Sequence, residues 1–367
     1  MVVKRLIYIT TINLLSKRAQ SIQIIRFVKS LSKVSEEDEI IFKAFSLSPV
    51  PINYGIYFNT FNKKLSHKRI VNNIKMIFFL LKNKSIKNKD IIYSRDLFLL
   101  FIFSLFGFKC FYEFHHPSRF INNFLFKVFN LFPRTRIITI SNALKKYVID
   151  NNFYSSKEIL VLPSCVDVEI YDNSPGKIFC RKFLGFSDNK YYILHTGSPY
   201  IGRGVEKFVE LCKFSEIIYF IHIGGEISDL KRLELLAKKE KISNCLFLPY
   251  IKEEDIIKYQ KGADLLFHVL TEQWPTFWCC SPLKIPEYMA SGTPILSSKL
   301  GSITEMIDER TAFLFDTNTS LRRNLNKLIL NKNLGIKKAI VAKDKVKKKF
   351  TWDIRSRLLT NFLKKYY

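Results

Sequence analysis

The run Ser281-Pro-Leu-Lys-Ile-Pro-Glu-Tyr-Met-Ala-Ser-Gly-Thr-Pro-Ile-Leu-Ser-Ser298 carries the most specific chemistry in the chain. Pro286 lacks the amide that an uninterrupted helix would use, so the spacing predicts a helix with Pro286 at its first position. Gly292 suits the left-handed residue just past a helix end, and 294–298 reads as a buried strand after it. This arrangement brings the backbone amides of 281–285, Ser281 and Leu283 among them, to a positive helix end, which is a ready site for an anion. Lys284 adds a formal charge. Glu287, in the first turn, offers a carboxylate to a pair of ribose hydroxyls; the alternative is that it only complements the helix dipole. Phosphate donors beside a sugar-diol acceptor are what a nucleotide diphosphate needs.

Elements that position these residues follow from the hydrophobic pattern. In the first half, 6–10, 39–44, 90–94, 108–114 and 136–140 read as strands rich in Ile, Phe and Tyr, with amphipathic stretches such as 19–33 between them. In the second half the strand candidates are 192–196, 217–223, 245–249, 265–269, 294–298 and 312–315, separated by helical patterns at 205–213, 230–240 and 253–261. Near-continuous hydrophobic strands alternating with helices indicate parallel sheets covered on both faces. The turn cluster Asn173-Ser-Pro-Gly176 reads as a linker. The fold class expected is α/β, as two Rossmann-like doubly wound domains facing a central cleft, with ligands at the carboxyl ends of the strands.

Bulk properties narrow the function class. A chain of 367 residues, 47% hydrophobic, has room for two cores. Seven cysteines with no CxxC spacing read as reduced thiols, and the 97–108 apolar run is too short to cross a bilayer. Met1-Val-Val-Lys-Arg leads straight into a strand, so no secretory leader and a cytoplasmic setting are expected. The net charge of +27 is uneven: residues 1–150 hold 25 Lys/Arg against 8 Asp/Glu, and 63–89 holds nine basic residues and no acid. That excess suggests an anionic partner, with a merely Lys-rich surface as the alternative. Within it Ile70, Val71, Ile74, Ile77, Phe78 and Leu81 recur at helical spacing, flanked by Lys68, Arg69, Lys75 and Lys82. They form either an ordinary packed helix or, if Met76, Phe79 and Leu80 broaden the apolar surface, an interfacial one.

The 281–298 segment resembles the nucleotide-sugar signature of retaining glycosyltransferase family four (glycosyl transferases group 1), and further blocks extend the resemblance along the chain. These are Lys4-Arg-Leu-Ile-Tyr-Ile-Thr with Ser16-Lys-Arg-Ala-Gln-Ser-Ile-Gln23, Tyr93-Ser-Arg-Asp96, Tyr112-Glu-Phe-His-His-Pro117, Ile138-Thr-Ile-Ser141 and Val161-Leu-Pro-Ser-Cys-Val-Asp167. Leu194-His-Thr-Gly197 with Gly202-Arg-Gly204, and Phe350-Thr-Trp-Asp353, complete the set. The resemblance implies the GT-B fold: an acceptor-binding domain over 1–172, a nucleotide-sugar-binding domain over 177–350, and a helix at 351–367 returning to the first domain. It implies transfer of a sugar, with retention of configuration, from a nucleotide diphosphate-sugar to a lipid-linked or cell-surface glycan intermediate of lipopolysaccharide, O-antigen or capsule type. Three positions depart from the family pattern. Cys279 stands where a first glutamate is common, Thr10-Thr-Ile-Asn13 replaces a Gly-Gly turn, and Ser198 replaces an arginine.

Departure of a nucleoside diphosphate builds negative charge on the β-phosphate, and fixed cations aimed there stabilise it. Arg203 and Lys284 are the candidates, with Gly197 allowing close backbone approach; a surface role for Arg203 is the alternative. His115 matches the histidine that the family places near the reacting sugar, although strand alternation leaves open whether His115 or His116 faces inward. Glu113 reads as packing behind the site. Tyr250 and Ile251 lie where relatives hold the base. No DxD-like pair is present, so no metal and no cofactor beyond the donor substrate are expected. The basic first half is expected to dock on an anionic membrane surface from the cytoplasmic side. A nucleotide-sugar epimerase of similar architecture is the competing enzyme, disfavoured by 281–287 and the final helix. A basic nucleic-acid-binding protein is the other class, but no RNP-like block, zinc ligand set or helix-turn-helix pattern is present.

Overall fold

The computed structural model describes residues 5–16, 18–117, 120–214 and 216–366. Lys4, Lys17 and the start of the chain, which belong to the blocks above, lie outside the described residues. The chain divides into two compact units, one comprising Met1–Cys165 with Trp352–Tyr367 and the other Val166–Thr351.

The first unit is built on seven parallel strands: β1 (Arg5–Thr10), β2 (Ile41–Ser46), β3 (Asn59–Thr60), β4 (Ile91–Ser94), β5 (Lys109–Phe114), β6 (Thr135–Thr139) and β7 (Ile159–Val161). Their order is β3-β2-β1-β4-β5-β6-β7. All six residues of β1 are buried, as expected of a central strand covered on both faces. Strand β2 begins two residues later than the sequence pattern suggests, because Glu39 takes φ 57° to close the turn after the helix Ala19–Glu37. The final helix, Trp352–Leu363, packs in this unit against Ala19–Glu37. Trp352 lies 6.4 Å from Phe27 between ring centroids, and Ser356 and Ser30 hydroxyls meet at 2.9 Å.

In the helix Arg69–Lys82, Met76 and Leu80 turn into the core and are fully buried. Their burial corrects the idea that they broaden an outer apolar surface. Ile70, Ile74, Phe78 and Leu81 are each at least half exposed and form the outer stripe.

The second unit has six parallel strands: β8 (Tyr191–Thr196), β9 (Ile218–Ile223), β10 (Cys245–Leu248), β11 (Leu265–His268), β12 (Ile295–Ser298) and β13 (Phe313–Phe315). They run in the order β10-β9-β8-β11-β12-β13. Two apolar clusters cover the sheet, one including Leu194, Ile221, Leu266, Tyr288 and Met289, the other Ile193, Phe220, Phe267 and Leu296. Strand order reverses direction at β8, between β9 and β11. The carboxyl ends of strands at such a reversal are where open α/β sheets hold ligands.

Candidate functional site

In the second unit, the helix that follows the Ser281–Leu283 loop runs Lys284–Ser291, two residues earlier than Pro286 suggests. Its first four amides have no intrahelical acceptor in any case, so Pro286 at the third position costs no hydrogen bond. Lys284 therefore sits on the first turn itself. Gly292 closes the helix with φ 73°, as its place in the sequence implies. Tyr288, fully buried one turn on, pins the helix to β8: its hydroxyl accepts the Thr196 N–H at 2.8 Å and lies 3.1 Å from Thr196 Oγ1.

This anchoring brings Lys284 over the turn that ends β8. Gly197 has φ 101°, and a Cβ there would stand 3.1 Å from Lys284 Nζ. The Gly224 turn after β9 closes against it, since a Cβ on Gly224 would come within 3.1 Å of the Gly197 nitrogen. Arg203 lies in the same loop after β8. Its guanidinium stacks over Trp274 at 4.2 Å and Tyr200 at 5.3 Å, and these two rings are parallel within 8°. Its buried Nε has no hydrogen-bond partner. Thr271 ties the loop after β11 to this one by donating to the Gly202 carbonyl.

The electrostatics are those of uncompensated cations. Burial first, then Arg203, push the Lys284 pKa down to about 7, with Glu287 and Cys280 opposing. Burial also lowers Arg203. Among the described residues neither side chain is in an ion pair with a carboxylate. Glu287, half-buried on the same turn, is close enough to act on Lys284 but its own amide bonds back to the Leu283 carbonyl at 3.2 Å. Cys279, where a glutamate is common in the family, is buried, and burial pushes its thiol up to about 12, so it supplies no charge.

Other expected residues fall around this centre. Tyr250 follows β10, and its hydroxyl meets Ser198 Oγ at 2.6 Å, which attaches it to the Gly197 turn. Ile251 packs on the apolar cluster of Tyr288 and Met289. Ser281 Oγ lies 3.5 Å from Met306 Sδ. Sequence reasoning passed over Gly224, Tyr200, Trp274 and three buried histidines. Those histidines, His195, His222 and His268, stand at or next to the carboxyl ends of β8, β9 and β11. A polar residue closing an otherwise apolar strand was the available signal.

His115 belongs to the first unit, just past β5. Its Nε2 lies 3.0 Å from Glu113 Oε1, and a carboxylate only accepts, so Nε2 carries the hydrogen. Burial, then Arg95, push its pKa down to about 4. The ring is therefore neutral at physiological pH, with Nδ1 as an acceptor. His116 points away, exposed, to the Pro117 carbonyl. Glu113 is fully buried against Arg95 and Arg355, each at 2.8 Å, and takes a hydrogen bond from Tyr93. Burial alone would raise its pKa; the two arginines outweigh that and hold it well below the usual carboxylate range. Packing behind His115 is its part, as its sequence position suggests.

Residues 177–346 match the family model described as glycosyl transferases group 1. This unit is a group 1 glycosyltransferase domain. The whole chain superposes on a crystal structure of a glycosyltransferase from Rickettsia africae with a TM-score of 0.79, 17% identity and 99% of each chain covered. HepE from Anabaena, solved in complex with UDP and glucose, follows at 0.75 and 14%, covering 98% of this chain and 99% of its own. WaaG, a glycosyltransferase involved in lipopolysaccharide biosynthesis, gives 0.71 and 14% over 98% of both chains. At these identities the likeness establishes the fold, which is GT-B. No curated protein sequence matches the chain.

Proposed function

We propose that this glycosyltransferase takes its sugar from a nucleotide diphosphate-sugar, binds the diphosphate through Arg203 and Lys284, and retains the anomeric configuration. The observation that carries the reading is a pair of cations held in no ion pair among the described residues, set beside the Gly197 turn at the carboxyl end of β8. Such a pair stabilises the charge that grows on the β-phosphate as the sugar departs. The same fixed charge is what a divalent ion would supply, so transfer proceeds without one. Glu287 accepts hydrogen bonds from the ribose diol, and Tyr250 and Ile251 border the base. His115 offers its Nδ1 to a substrate hydroxyl. UDP occupies the related HepE, and this supports a nucleotide donor here. A panel of nucleotide-sugars, scored for sugar release in the presence of EDTA, tests the reading. One donor should be consumed at an undiminished rate. Consumption that stops with EDTA, or of no donor at all, contradicts it.

The acceptor is a glycan or lipid-linked intermediate met at the inner face of the cytoplasmic membrane. The stripe Ile70, Ile74, Phe78 and Leu81 supports this, because it stands outward beside a groove lined by Lys63, Lys64, Lys75 and Phe79. Each basic residue near anionic lipid contributes about 1 kcal/mol, screened over a Debye length of about 8 Å. No helix among the described residues is long and apolar enough to span a membrane. Co-sedimentation with anionic vesicles should therefore occur at low salt and weaken as salt rises. Equal binding to neutral vesicles would refute the electrostatic part.

A further inference from the structure

The three buried histidines of the second unit take no part in the chemistry above, yet one of them, His195, bonds directly to Lys284 and a second, His222, bonds to His195. Lys284 Nζ lies 3.2 Å from His195 Nε2, His195 Nδ1 lies 2.9 Å from His222 Nδ1, and His222 Nε2 lies 2.8 Å from the Gly224 carbonyl. The parallel register pairs His195 with His222 across β8 and β9, which sets the rings within 17° of parallel. We propose that His195 and His222 are positioning residues that aim the Lys284 amine at the diphosphate through a one-way hydrogen-bond relay anchored on the Gly224 carbonyl. This rests on the reading of Lys284 as a phosphate-binding cation.

The direction of the relay follows from its far end. A carbonyl oxygen only accepts, so His222 Nε2 carries the hydrogen. Burial pushes the His222 pKa down to about 3, so the ring holds one proton and its Nδ1 is bare. His195 must then donate from Nδ1. Burial, then Lys284, hold His195 well below the ordinary imidazole range, so its Nε2 is bare as well. Lys284 donates to it. Each link is forced by the one before, and every tautomer depends on one backbone carbonyl.

The arrangement has a chemical point. A carboxylate at the place of His195 would orient Lys284 but cancel its charge. A neutral imidazole acceptor commits one N–H of the amine and leaves the charge and the remaining donors for an anion. The other groups that act on Lys284 are Arg203 from the loop after β8, Cys280 ahead of the helix and Glu287 on its own turn. His268, on β11, faces the same charge and holds Ser297 Oγ at 3.0 Å. The Cys280 thiol is pushed up to about 11 by burial and stays neutral.

The test reads tautomers and affinity together. Nitrogen-15 correlation spectra of the histidine rings in the full chain should show His195 protonated on Nδ1 and His222 on Nε2. His195→Leu should bind inorganic pyrophosphate about tenfold more weakly, the loss of one hydrogen bond to a charged group. His195→Gln, which restores an acceptor, should recover most of that affinity. Finding His195 protonated on Nε2 or on both nitrogens overturns the relay, as does wild-type affinity in His195→Leu. Should His195→Leu fail to fold, the wild-type spectra decide alone. Lys284→Met separates the two readings: unchanged pyrophosphate affinity in that variant refutes Lys284 as the phosphate cation, whatever the tautomers.

Discussion

Each unit holds two cationic side chains near the carboxyl end of its sheet, buried in the first unit and half-buried in the second, and the two pairs differ in what faces them. In the first unit Arg95 and Arg355 share the Glu113 carboxylate, and Arg355 also donates to the Pro163 carbonyl at 2.6 Å from its place on the final helix. Their charge is consumed in holding β5, the final helix and His115 together. In the second unit Arg203 rests on two aromatic faces and Lys284 on a neutral imidazole. Neither partner cancels charge. The same residue types therefore make a structural knot in one place and leave their charge unpaired in the other. What separates them is one carboxylate, not the number of cations.

The largest effect expected from this contrast is on stability. Glu113→Gln leaves Arg95 and Arg355 buried without their counter-charge, a loss of about 3–5 kcal/mol that urea denaturation would measure. Because the folded-state pKa of Glu113 is depressed, its stabilisation is fully present above the unfolded carboxylate value near 4.3. It is lost as pH falls through the lower folded value, so the acid limb of the wild-type stability profile should flatten in the variant. A variant as stable as the parent would mean that the knot is not what holds this region.

A smaller effect belongs to the other pair and appears in activity. Lys284 is pushed down to about 7, so the free enzyme loses a cation as pH rises through that value. The donor kcat/KM, which reports the free enzyme, should decline above about pH 7. Lys284→Arg should remove that limb, since a guanidinium stays charged. The stability of the free chain should move the opposite way. A depressed lysine pKa favours the neutral folded form, so its contribution is full above the unfolded value near 10.4 and lost as pH falls through about 7. A kcat/KM profile identical in the two proteins would remove Lys284 from the site.

Much of the frame was legible because parallel strands buried on both faces are continuous apolar runs. Ile218–Ile223 and Leu265–His268 were readable for that reason. The edge strands Asn59–Thr60 and Ile159–Val161 were not, since two or three residues carry no period. The place of Lys284 and Glu287 at a helix start was legible from helix-end chemistry, and that of Gly197 at a strand end from the resemblance of its block. The helix start was misread because a proline is tolerated anywhere in the first turn. His195 and His222 lie 27 residues apart, and only strand register brings them together. Two isolated histidines in apolar strands look like ordinary core residues until that register is known. For the same reason the Trp274 and Tyr200 bed under Arg203 had no local signature.

Arg203 and Lys284 are proposed to act on charge that develops as the diphosphate leaves. Single-turnover measurement of kcat with the preferred donor, in Arg203→Met and Lys284→Met, tests it most directly. A fall on the order of 100-fold is expected in each, the usual loss for one donor aimed at transition-state charge, with no loss of thermal stability because no buried counter-charge is stranded. A raised KM with kcat unchanged would mean that these cations bind the ground state and transition state equally, and would contradict it.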